Sequence, residues 1–437
     1  MFKQELKKLK HFLLAWLAYW YYGRPARKLI VVGVTGTKGK STTCRYVASV
    51  LQAGGFKVGV LSTVEFQIAD KRWLNDKKMT MLGLGQIQKM LRDMVSAGCQ
   101  YAVVETSSEG ILQYRHYGLH YDIAVFTNLG TEHSERHGGF ENLKNDKGQL
   151  FKGLSECPHK ILNNKKINKI IVANLDDGHT SFYLNYVADK KFGFSLHNKN
   201  NPEVERAFGG NIVGSSETGT DFTVDDNKFR LNLVGDFNVY NALAALAVGQ
   251  SQNIPLDKIA TGLASVKKLE GRMEFIEAGQ NFKAIVDYAH EPMSLTALFN
   301  NLRKITQGKV IAVIGSDGGG RDVSKRAKMG EIAGQLCDHI IISDVNCFDE
   351  DPMQIAEMLA AGARKAGKKD NENLFIVIDR FQGIQKACSL ASAGDIVVVT
   401  AKGTEPYIAV ANGEKIKWDD RTVTREILEH YYVGGKK

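Results

Sequence analysis

The sequence predicts the α/β fold class, with two domains that each contain a mostly parallel sheet. Short apolar segments of strand length alternate with helix-length segments from about residue 29 onward, and this alternation restarts near residue 269. A glycine-rich turn joins the first apolar segment to the helix that follows it. Strands and helices that alternate along a chain form a parallel sheet covered by helices. A chain of 437 residues is also longer than one ordinary domain.

The first 28 residues are basic and rich in aromatic side chains. They hold seven Lys or Arg residues and one Glu, a net +6 of the formal charge of +9 on the whole chain. No nucleic-acid-binding motif accompanies them, so we expect no nucleic-acid partner. The apolar run Phe12 to Tyr22 is too short to cross a bilayer, which needs about 20 residues. Its helical spacing fits two interpretations: residues 1–24 rest on a membrane surface from the cytoplasmic side, or they pack on protein.

The elements of the two predicted domains follow from apolar periodicity and from glycines that end helices. In the first domain we predict strands over 29–34, 57–62 and 101–105 and helices over 40–53, 84–97, 238–249 and 255–265. Residues 190–235 suggest a small antiparallel excursion. In the second domain, which we expect to be Rossmann-like, strands are predicted near 283–287, 309–314, 338–343 and 394–400. The predicted boundaries are therefore 1–28, 29–268 and 269–437.

The glycine-rich turn has the composition of a phosphate-binding loop. It reads Gly36-Thr37-Lys38-Gly39-Lys40-Ser41-Thr42 between a buried strand and a helix. Glycines let backbone N–H groups close around phosphate oxygens, and the helix N-terminus favours negative charge. Lys40 would neutralise the β- and γ-phosphates and Ser41 would bind Mg²⁺. The first domain is therefore predicted to be a P-loop ATPase domain.

Two further groups follow the ends of predicted strands, where ligands bind in α/β sheets. Glu105 ends the strand over 101–105, and Glu132-His133 comes shortly after the strand that begins at Ile123. A carboxylate at that edge can hold Mg²⁺ beside the phosphates. The six cysteines show no metal-binding or disulfide spacing, which fits a reducing cytoplasm.

Several blocks of sequence, in order, resemble the Mur ligase family, and within it the branch that makes muramyl tripeptides. They are the loop at 36–42, Glu105-Thr106-Ser107-Ser108-Glu109-Gly110, Glu132-His133 with His137-Gly138, Asn238-Val239-Tyr240-Asn241, Gly271-Arg272-Met273-Glu274, Val286-Asp287-Tyr288-Ala289-His290 and Lys402-Gly403-Thr404-Glu405. The resemblance covers about residues 29–410. It implies an ATP- and Mg²⁺-dependent ligase that joins an amino acid to a muramyl-peptide carboxylate in peptidoglycan precursor synthesis.

The resemblance also implies roles for individual residues. Catalytic positions are Lys40, His133 and Lys147, the last being the lysine that this family carbamylates; Mg²⁺ positions are Ser41, Glu105 and His133. Nucleotide positions are Gly36, Thr37, Lys38, Gly39, Lys40, Ser41, Thr42, Asn238, Asn241, Arg272, Asp287 and His290. Substrate positions are Thr80, Ser107, Gln113, Arg115, Asn346, Phe348 and Glu405. From the residues alone, an exposed helix lysine is the favoured interpretation of Lys147, and Thr80 could be an ordinary loop residue.

The sequence departs from the branch in three places. The branch usually begins with a domain that binds the uridine nucleotide, whereas the P-loop strand starts here near residue 29, so the acceptor could be UDP-linked or lipid-linked. Phe348 stands where the family's Asp-Asn-Pro-Arg stretch has an arginine for a distal carboxylate, which favours lysine over diaminopimelate. Glu109 stands where the branch commonly has histidine. Two other functions stay open: an unrelated P-loop NTPase or kinase, and a catalytically silent membrane-associated scaffold.

Overall fold

The computed structural model describes residues 2–77, 79–130, 137–197, 200–320 and 323–430. The chain divides into two compact units, residues 1–267 and 268–437. Each unit contains its own mostly parallel sheet with helices, so the predicted α/β class is confirmed.

Unit 1 is built around a nine-stranded sheet in the order β11-β10-β9-β6-β1-β5-β2-β3-β4. Its strands are parallel except β3 and β4, which form an antiparallel edge. The strands are β1 Ile30–Thr35, β2 Val58–Leu61, β3 Glu65–Ile68, β4 Lys71–Leu74, β5 Tyr101–Glu105, β6 Ile123–Phe126, β7 Ile161–Leu162, β8 Lys165–Lys166, β9 Ile170–Asn174, β10 Lys190–Ser195, β11 Arg206–Gly209, β12 Asn211–Ser216, β13 Gly219–Val224 and β14 Asn227–Leu231. The small pair β7-β8 and the antiparallel sheet β12-β13-β14 stand apart from it.

Eight α-helices and one 3₁₀ helix, over Pro25–Lys28, belong to the described part of unit 1. The α-helices are α1 Phe2–Tyr21, α2 Lys40–Ala53, α3 Leu84–Ser96, α4 Ser108–Leu112, α5 Phe140–Glu156, α6 Thr180–Leu184, α7 Asp236–Ser251 and α8 Leu256–Ser265. Strand β1 is central, and Val31, Val32 and Val34 are completely buried. Strands covered on both faces read as continuous apolar runs, which is why this one could be predicted.

Unit 2 contains a six-stranded sheet in the order β15-β16-β20-β17-β18-β19, parallel except for the short β15. Its strands are β15 Glu274–Phe275, β16 Lys283–Val286, β17 Val310–Ile314, β18 His339–Ile342, β19 Leu374–Ile376, β20 Ile396–Val399, and the hairpin β21 Tyr407–Ala409 with β22 Lys415–Lys417. Its α-helices are α9 Pro292–Ile305, α10 Lys325–Leu336, α11 Pro352–Lys365, α12 Arg380–Ser389 and α13 Asp420–Leu428, with a 3₁₀ turn over Ala411–Gly413.

Among the side chains of helix α1 that the structure describes, those that contact the rest of unit 1 lie along one edge. Ala15 and Tyr19 are buried, Phe12 is half-buried, and the leucines of the opposite side are exposed. The helix ends where Gly23 and Arg24 take left-handed backbone conformations, with φ of 73° and 55°. In the part of the chain that the structure describes, neither this helix nor any other is both long and apolar enough to cross a membrane.

Candidate functional site

The glycine-rich loop joins the carboxyl end of β1 to the first turn of α2. Gly36 and Gly39 have φ of 148° and 81°, which L side chains rarely adopt. A Cβ on Gly39 would lie 2.2 Å from Oδ1 of Asn241, and one on Gly36 would lie 2.0 Å from Oγ1 of Thr127. Both glycines are therefore required by the backbone conformation and by close neighbours.

Residues that follow β6 hold the loop in shape from one side. The backbone N–H of Lys38 donates to Oδ1 of Asn128 at 2.9 Å, and the Thr127 hydroxyl donates to the Lys38 carbonyl at 2.7 Å. Helix α7 holds it from another side, where the Thr43 hydroxyl donates to Asn241 at 3.2 Å and Asn241 donates to Asn238 at 3.3 Å. Asn241 therefore contacts Gly39 of the loop and the first turn of α2, and Asn238 supports Asn241.

Two ammonium groups meet at the same carbonyl of the loop. Lys40 Nζ donates to the carbonyls of Gly36 at 3.0 Å and Thr37 at 2.9 Å. Lys147 Nζ, which comes from helix α5, donates to the Gly36 carbonyl at 3.1 Å. Lys147 is 5% exposed, so the interpretation as an exposed helix lysine is wrong. Lys40 thus places a cation on the loop, as a site for phosphates requires, and Lys147 reaches the same carbonyl from α5.

A hydroxyl–carboxylate pair lies beside the loop. Ser41 Oγ donates to Oε2 of Glu105 at 2.8 Å, and Glu105 is almost completely buried. The same carboxylate accepts from the Thr63 backbone at 2.7 Å and from its hydroxyl at 2.9 Å. Thr80 is also close, since its Oγ1 lies 2.9 Å from that of Thr63. Thr80 and Glu105 therefore belong to one polar cluster, and Thr63 is a member that the sequence analysis missed.

The donor set at this cluster suits Mg²⁺. Hydroxyl and carboxylate oxygens are hard ligands, and Mg²⁺ is commonly held by one or two protein groups together with substrate phosphates. No group of three or more His, Cys, Asp or Glu side chains is arranged for a metal among the residues that the structure describes. Ser41 and Glu105 fit that sparse pattern, whereas the third predicted ligand, His133, lies outside the described residues.

A buried hydrogen-bond chain connects α4 to α5 next to this cluster. Ser108 Oγ lies 3.1 Å from Nε2 of His137, and Nδ1 of His137 lies 2.5 Å from Oδ2 of Asp146. Asp146 directly precedes Lys147 on α5. These hydrogen bonds therefore hold helix α5, which carries Lys147, in place. His137-Gly138 was one of the matching sequence blocks, but its partners are distant in sequence and could not be predicted from it.

The predicted acceptor residues lie on the segment that follows β5. Ser107 caps α4 by accepting from the Gly110 N–H at 3.2 Å, and Gln113 ends that helix. Arg115 donates to Oε1 of Gln113 at 2.6 Å and to the Met81 carbonyl. Burial lowers the pKa of the Arg115 guanidinium, which Glu109 partly offsets. Ser107, Gln113 and Arg115 thus occupy one short segment beside the Glu105 strand end.

In unit 2, the predicted nucleotide residues form one loop cluster. Asp287 accepts from the backbone N–H groups of Met273 and Ala289, both at 2.7 Å. The Arg272 guanidinium lies 4.2 Å from the Tyr288 ring centroid, and the rings of Tyr288 and His290 are 4.6 Å apart. Asp287 therefore joins the segments that carry Arg272 and His290.

The predicted amino-acid residues form a second cluster in unit 2. Asn346 donates to Oδ1 of Asp317 at 2.7 Å and to Oε2 of Glu405 at 3.2 Å. The completely buried Lys402 donates to both Glu405 and Asn346, at 3.0 and 3.2 Å. Phe348 has φ of 53° and its ring lies against Gly319. Asp317 is a member that the sequence analysis did not single out.

These geometries agree with what comparisons with known proteins show. The sequence matches the Mur ligase middle domain over residues 34–249 and the "Mur ligase, glutamate ligase domain" over residues 271–403. A UDP-N-acetylmuramyl-tripeptide synthetase from Roseiflexus sp. (strain RS-1) is 39% identical over 97% of this chain and 83% of its own. The chain belongs to the Mur ligase family.

Other relatives of this Mur ligase include diaminopimelate ligases and, at lower identity, a folylpolyglutamate synthase. A UDP-N-acetylmuramoyl-L-alanyl-D-glutamate--2,6-diaminopimelate ligase from Clostridium tetani is 35% identical over 94% of this chain and 80% of its own. A solved structure of a ligase with that name is 29% identical, with a TM-score of 0.60 over 92% of this chain and 78% of its own. A folylpolyglutamate synthase from Mycobacterium tuberculosis, 15% identical, shares the fold with a TM-score of 0.67 over 89% and 92% of the two chains.

Membership of the family settles the class of enzyme. Mur ligases are ATP-dependent ligases of peptidoglycan precursor synthesis, so the predicted ligase activity and its ATP dependence are confirmed. The two other functions considered, an unrelated P-loop NTPase and a silent scaffold, receive no support from these matches.

Proposed function

We propose that this Mur ligase adds an amino acid to the carboxylate of a muramyl-peptide acceptor through an acyl phosphate. The observation that carries the proposal is the meeting of Lys40 and Lys147 at the Gly36 carbonyl, beside the Ser41–Glu105 pair. This arrangement places positive charge and hard oxygen donors along one phosphate-sized loop. The names of the relatives from Roseiflexus and Clostridium tetani supply the substrate class.

In this mechanism each group of unit 1 has a defined task. The loop amides orient the nucleotide, and the Lys40 ammonium offsets charge on the γ-phosphoryl group as it passes to the acceptor carboxylate. Ser41 and Glu105 would hold Mg²⁺, which supplies further neutralisation of phosphate charge. The amine then attacks the acyl phosphate, and an amide, ADP and phosphate result. Arg115 and Gln113 would orient the acceptor.

Carbamylation of Lys147 is part of the proposal. Unmodified, Lys147 would place a second cation at the carbonyl already bound by Lys40. A carbamate would replace that cation by an anion and relieve the repulsion between the two ammonium groups. It would also suit a position close to bound Mg²⁺.

The central test is amine-dependent release of ADP. Purified enzyme receives ATP, Mg²⁺, a muramyl-peptide acceptor and a panel of amino acids, and the product masses are determined. We expect ADP only when acceptor and amine are both present, and no ADP from the Lys40→Ala variant. ADP release that needs neither acceptor nor amine would contradict the proposal.

We further propose that the amino acid is lysine, or another one without a second carboxylate. Phe348 cannot form the bidentate contact that an arginine makes with a carboxylate. In the panel above, kcat/KM should be higher for lysine than for diaminopimelate. A clear preference for diaminopimelate would overturn this assignment.

The place of the reaction is the last part of the proposal. On α1, Leu9, Leu13, Leu17 and Trp20 are each 48–55% exposed, and the Arg24 guanidinium lies 4.6 Å from the Trp20 ring centroid. An exposed apolar face with flanking cations fits an anionic lipid surface, where each Lys or Arg contributes about 1 kcal/mol. The enzyme would act in the cytoplasm, resting on the membrane face, and accept a lipid-linked muramyl peptide as well as a UDP-linked one.

Flotation with liposomes tests the membrane contact. We expect the full chain to float with anionic vesicles at low salt and to remain unbound with neutral ones. Leu13→Ser combined with Leu17→Ser should abolish flotation. The matched control is Ile161→Ser, which changes a residue that is 74% exposed on β7, outside α1. Activity on both acceptor forms is measured in parallel, and flotation unchanged by the double variant would refute the contact.

A further inference from the structure

The inner edge of α1 contacts one particular turn of unit 1. The Phe12 ring lies 5.7 Å from that of Tyr114 and 5.2 Å from that of Tyr117, with the rings edge to face. The Tyr19 ring lies 6.0 Å from that of Tyr117. Edge-to-face pairs at such distances are favourable beyond simple burial. Four aromatic rings, two from the helix and two from the turn, thus form one cluster.

Polar contacts attach the same edge of the helix to the end of the turn. The Tyr19 hydroxyl lies 2.8 Å from Nε2 of His120 and accepts from Nε of Arg27 at 3.1 Å. Nδ1 of His120 lies 3.4 Å from the Cys157 sulfur. A Cβ on Gly118 would lie 2.4 Å from the Tyr19 ring, so the backbone of the turn approaches that ring directly.

The turn has a conformation that needs support from outside. Tyr114 and Gly118 have φ of 55° and 73°, and a left-handed conformation is costly for a bulky residue such as tyrosine. Such backbone persists where surrounding structure determines it. Gln88 of helix α3, a helix that also contacts α1, donates to the Tyr117 carbonyl at 3.1 Å. Both α3 and α1 therefore hold the turn.

Two proposed acceptor residues belong to this turn. Gln113 directly precedes Tyr114 and Arg115 directly follows it, and the Arg115 guanidinium donates to Gln113 at 2.6 Å. Any change in the backbone of Tyr114 therefore moves one side chain relative to the other. We propose that α1 is a positioning element for the acceptor site, in which Phe12 and Tyr19 hold the turn 113–118 so that Gln113 and Arg115 meet the acceptor.

This role rests on the proposed function, and it predicts kinetic effects that the proposed function alone does not. The Phe12→Ala variant loses its ring contacts with Tyr114 and Tyr117, and we expect the KM for the acceptor to rise about tenfold. The KM for ATP and kcat at saturating acceptor should stay within about twofold, because the ATP loop and Lys147 have other supports. Phe12→Tyr keeps the ring and should restore the acceptor KM.

Ile161→Ala is the control, since Ile161 lies on β7, outside α1, and is 74% exposed. It should leave every kinetic constant unchanged. A merely structural role for α1 predicts something else: Phe12→Ala would lower the melting temperature and the fraction of active enzyme, and acceptor KM would stay at the wild-type value. That result would overturn the proposal.

A second measurement does not depend on activity. Hydrogen–deuterium exchange of the unliganded enzyme should increase in residues 113–118 of the Phe12→Ala variant and stay unchanged in residues 36–42. Tyr19→Phe keeps the ring and loses the hydroxyl contacts, so it should increase exchange in the turn by a smaller amount. This variant replaces Phe12→Ala in the experiment if Phe12→Ala does not fold. Unchanged exchange in the turn would refute the role of α1 even if the enzyme proved to use a different acceptor.

Discussion

Lys147 is the single side chain on which the proposed chemistry of this loop depends most directly. Replacing Lys147 by alanine removes the side-chain nitrogen that donates to the Gly36 carbonyl. If the residue acts as a carbamate, we expect kcat to fall about 100-fold or more, the range seen when a charged group is removed from a reaction centre. Short carboxylic acids such as formate should restore part of the activity by occupying the vacated position.

Lys152→Ala provides the control for this substitution. Lys152 lies on the same helix, and 52% of its side chain is exposed beside Glu156. Its loss should leave kcat unchanged, because an exposed ion pair contributes little. Full activity in the Lys147→Ala enzyme would remove that residue from the mechanism.

The loop glycines allow a test that separates backbone strain from a steric clash. Gly39 and Gly55 have similar φ, 81° and 89°, but only Gly39 has a close neighbour at its Cβ position. Alanine at either position would destabilise the folded chain by about 1–2 kcal/mol, because a left-handed backbone conformation is unfavourable for a residue with a Cβ. Gly39→Ala should in addition raise the KM for ATP at least tenfold by displacing Asn241, whereas Gly55→Ala should leave it unchanged. Equal effects on ATP binding would contradict this account of the loop.

At this scale, sequence predicts the residues of local patterns and misses their distant partners. The loop and Glu105 could be predicted because a strand end, glycines and a carboxylate are visible along the chain. Thr63 and Asp146 could not, because each meets its partner only after folding: Thr63 contacts Glu105, and Asp146 contacts His137. For the same reason, the residues alone favoured an exposed Lys147, whereas the side chain is 5% exposed.

Among the elements, β1 depends on a buried ionic cluster at the start of the strand. Asp122 accepts from the Val31 N–H at 2.9 Å, from Lys160 at 2.5 Å and from Lys169 at 3.0 Å. All three charged groups are buried, and burial lowers the pKa of Lys160 to about 8. The cluster thereby connects β1 to the start of β6, its neighbour in the sheet, and to the start of β9, which pairs with β6.

Removing the carboxylate from this cluster should destabilise unit 1 strongly. Asp122→Asn leaves two buried ammonium groups without their counter-charge, which costs about 3–5 kcal/mol. Thermal unfolding followed by calorimetry should show a large decrease in melting temperature. Asp93→Asn, which breaks the exposed pair with Lys89, is the control and should change it little. A small effect at Asp122 would mean that water solvates these lysines.

The elements also show where sequence periodicity fails. Residues 190–235 were expected to form a small antiparallel excursion, and for residues 190–209 this is wrong, because β10 and β11 extend the main parallel sheet. Among the described strands of residues 190–235, β12, β13 and β14 form the antiparallel part. Short strands with alternating burial look alike in both arrangements, and pairing between strands distant in the chain decides which one forms.

For the whole molecule, the sequence predicted the α/β class and the ligase family, since both depend on order along the chain. The sequence did not decide whether α1 lies on a membrane surface or packs on protein. The structure assigns its inner edge to packing, through Phe12, Ala15 and Tyr19. Its outer face is the part to which the membrane proposal now applies, so the two interpretations concern different sides of one helix.

The stability of the molecule should depend on pH through two histidines of unit 1. Burial lowers the pKa of His116 to about 4, and burial with Lys160, Arg27 and Lys169 lowers that of His120 to about 4. Both side chains stay neutral in the folded chain, whereas in the unfolded chain they bind protons below about pH 6.5. Their contribution is thus complete above pH 6.5 and is lost as pH falls toward 4.

Calorimetry of the whole chain at pH 7.5 and pH 5.5 tests this dependence. Each unit has its own core, so two transitions can be followed, and the one that belongs to unit 1 should shift to lower temperature in acid. At pH 5.5 each histidine should reduce the free energy of unfolding by about 1 kcal/mol. His116→Phe removes one proton-binding group and should reduce the acid shift without abolishing it, because His120 remains. An acid shift of the same size in this variant would show that other groups, chiefly carboxylates, control the acid stability of unit 1.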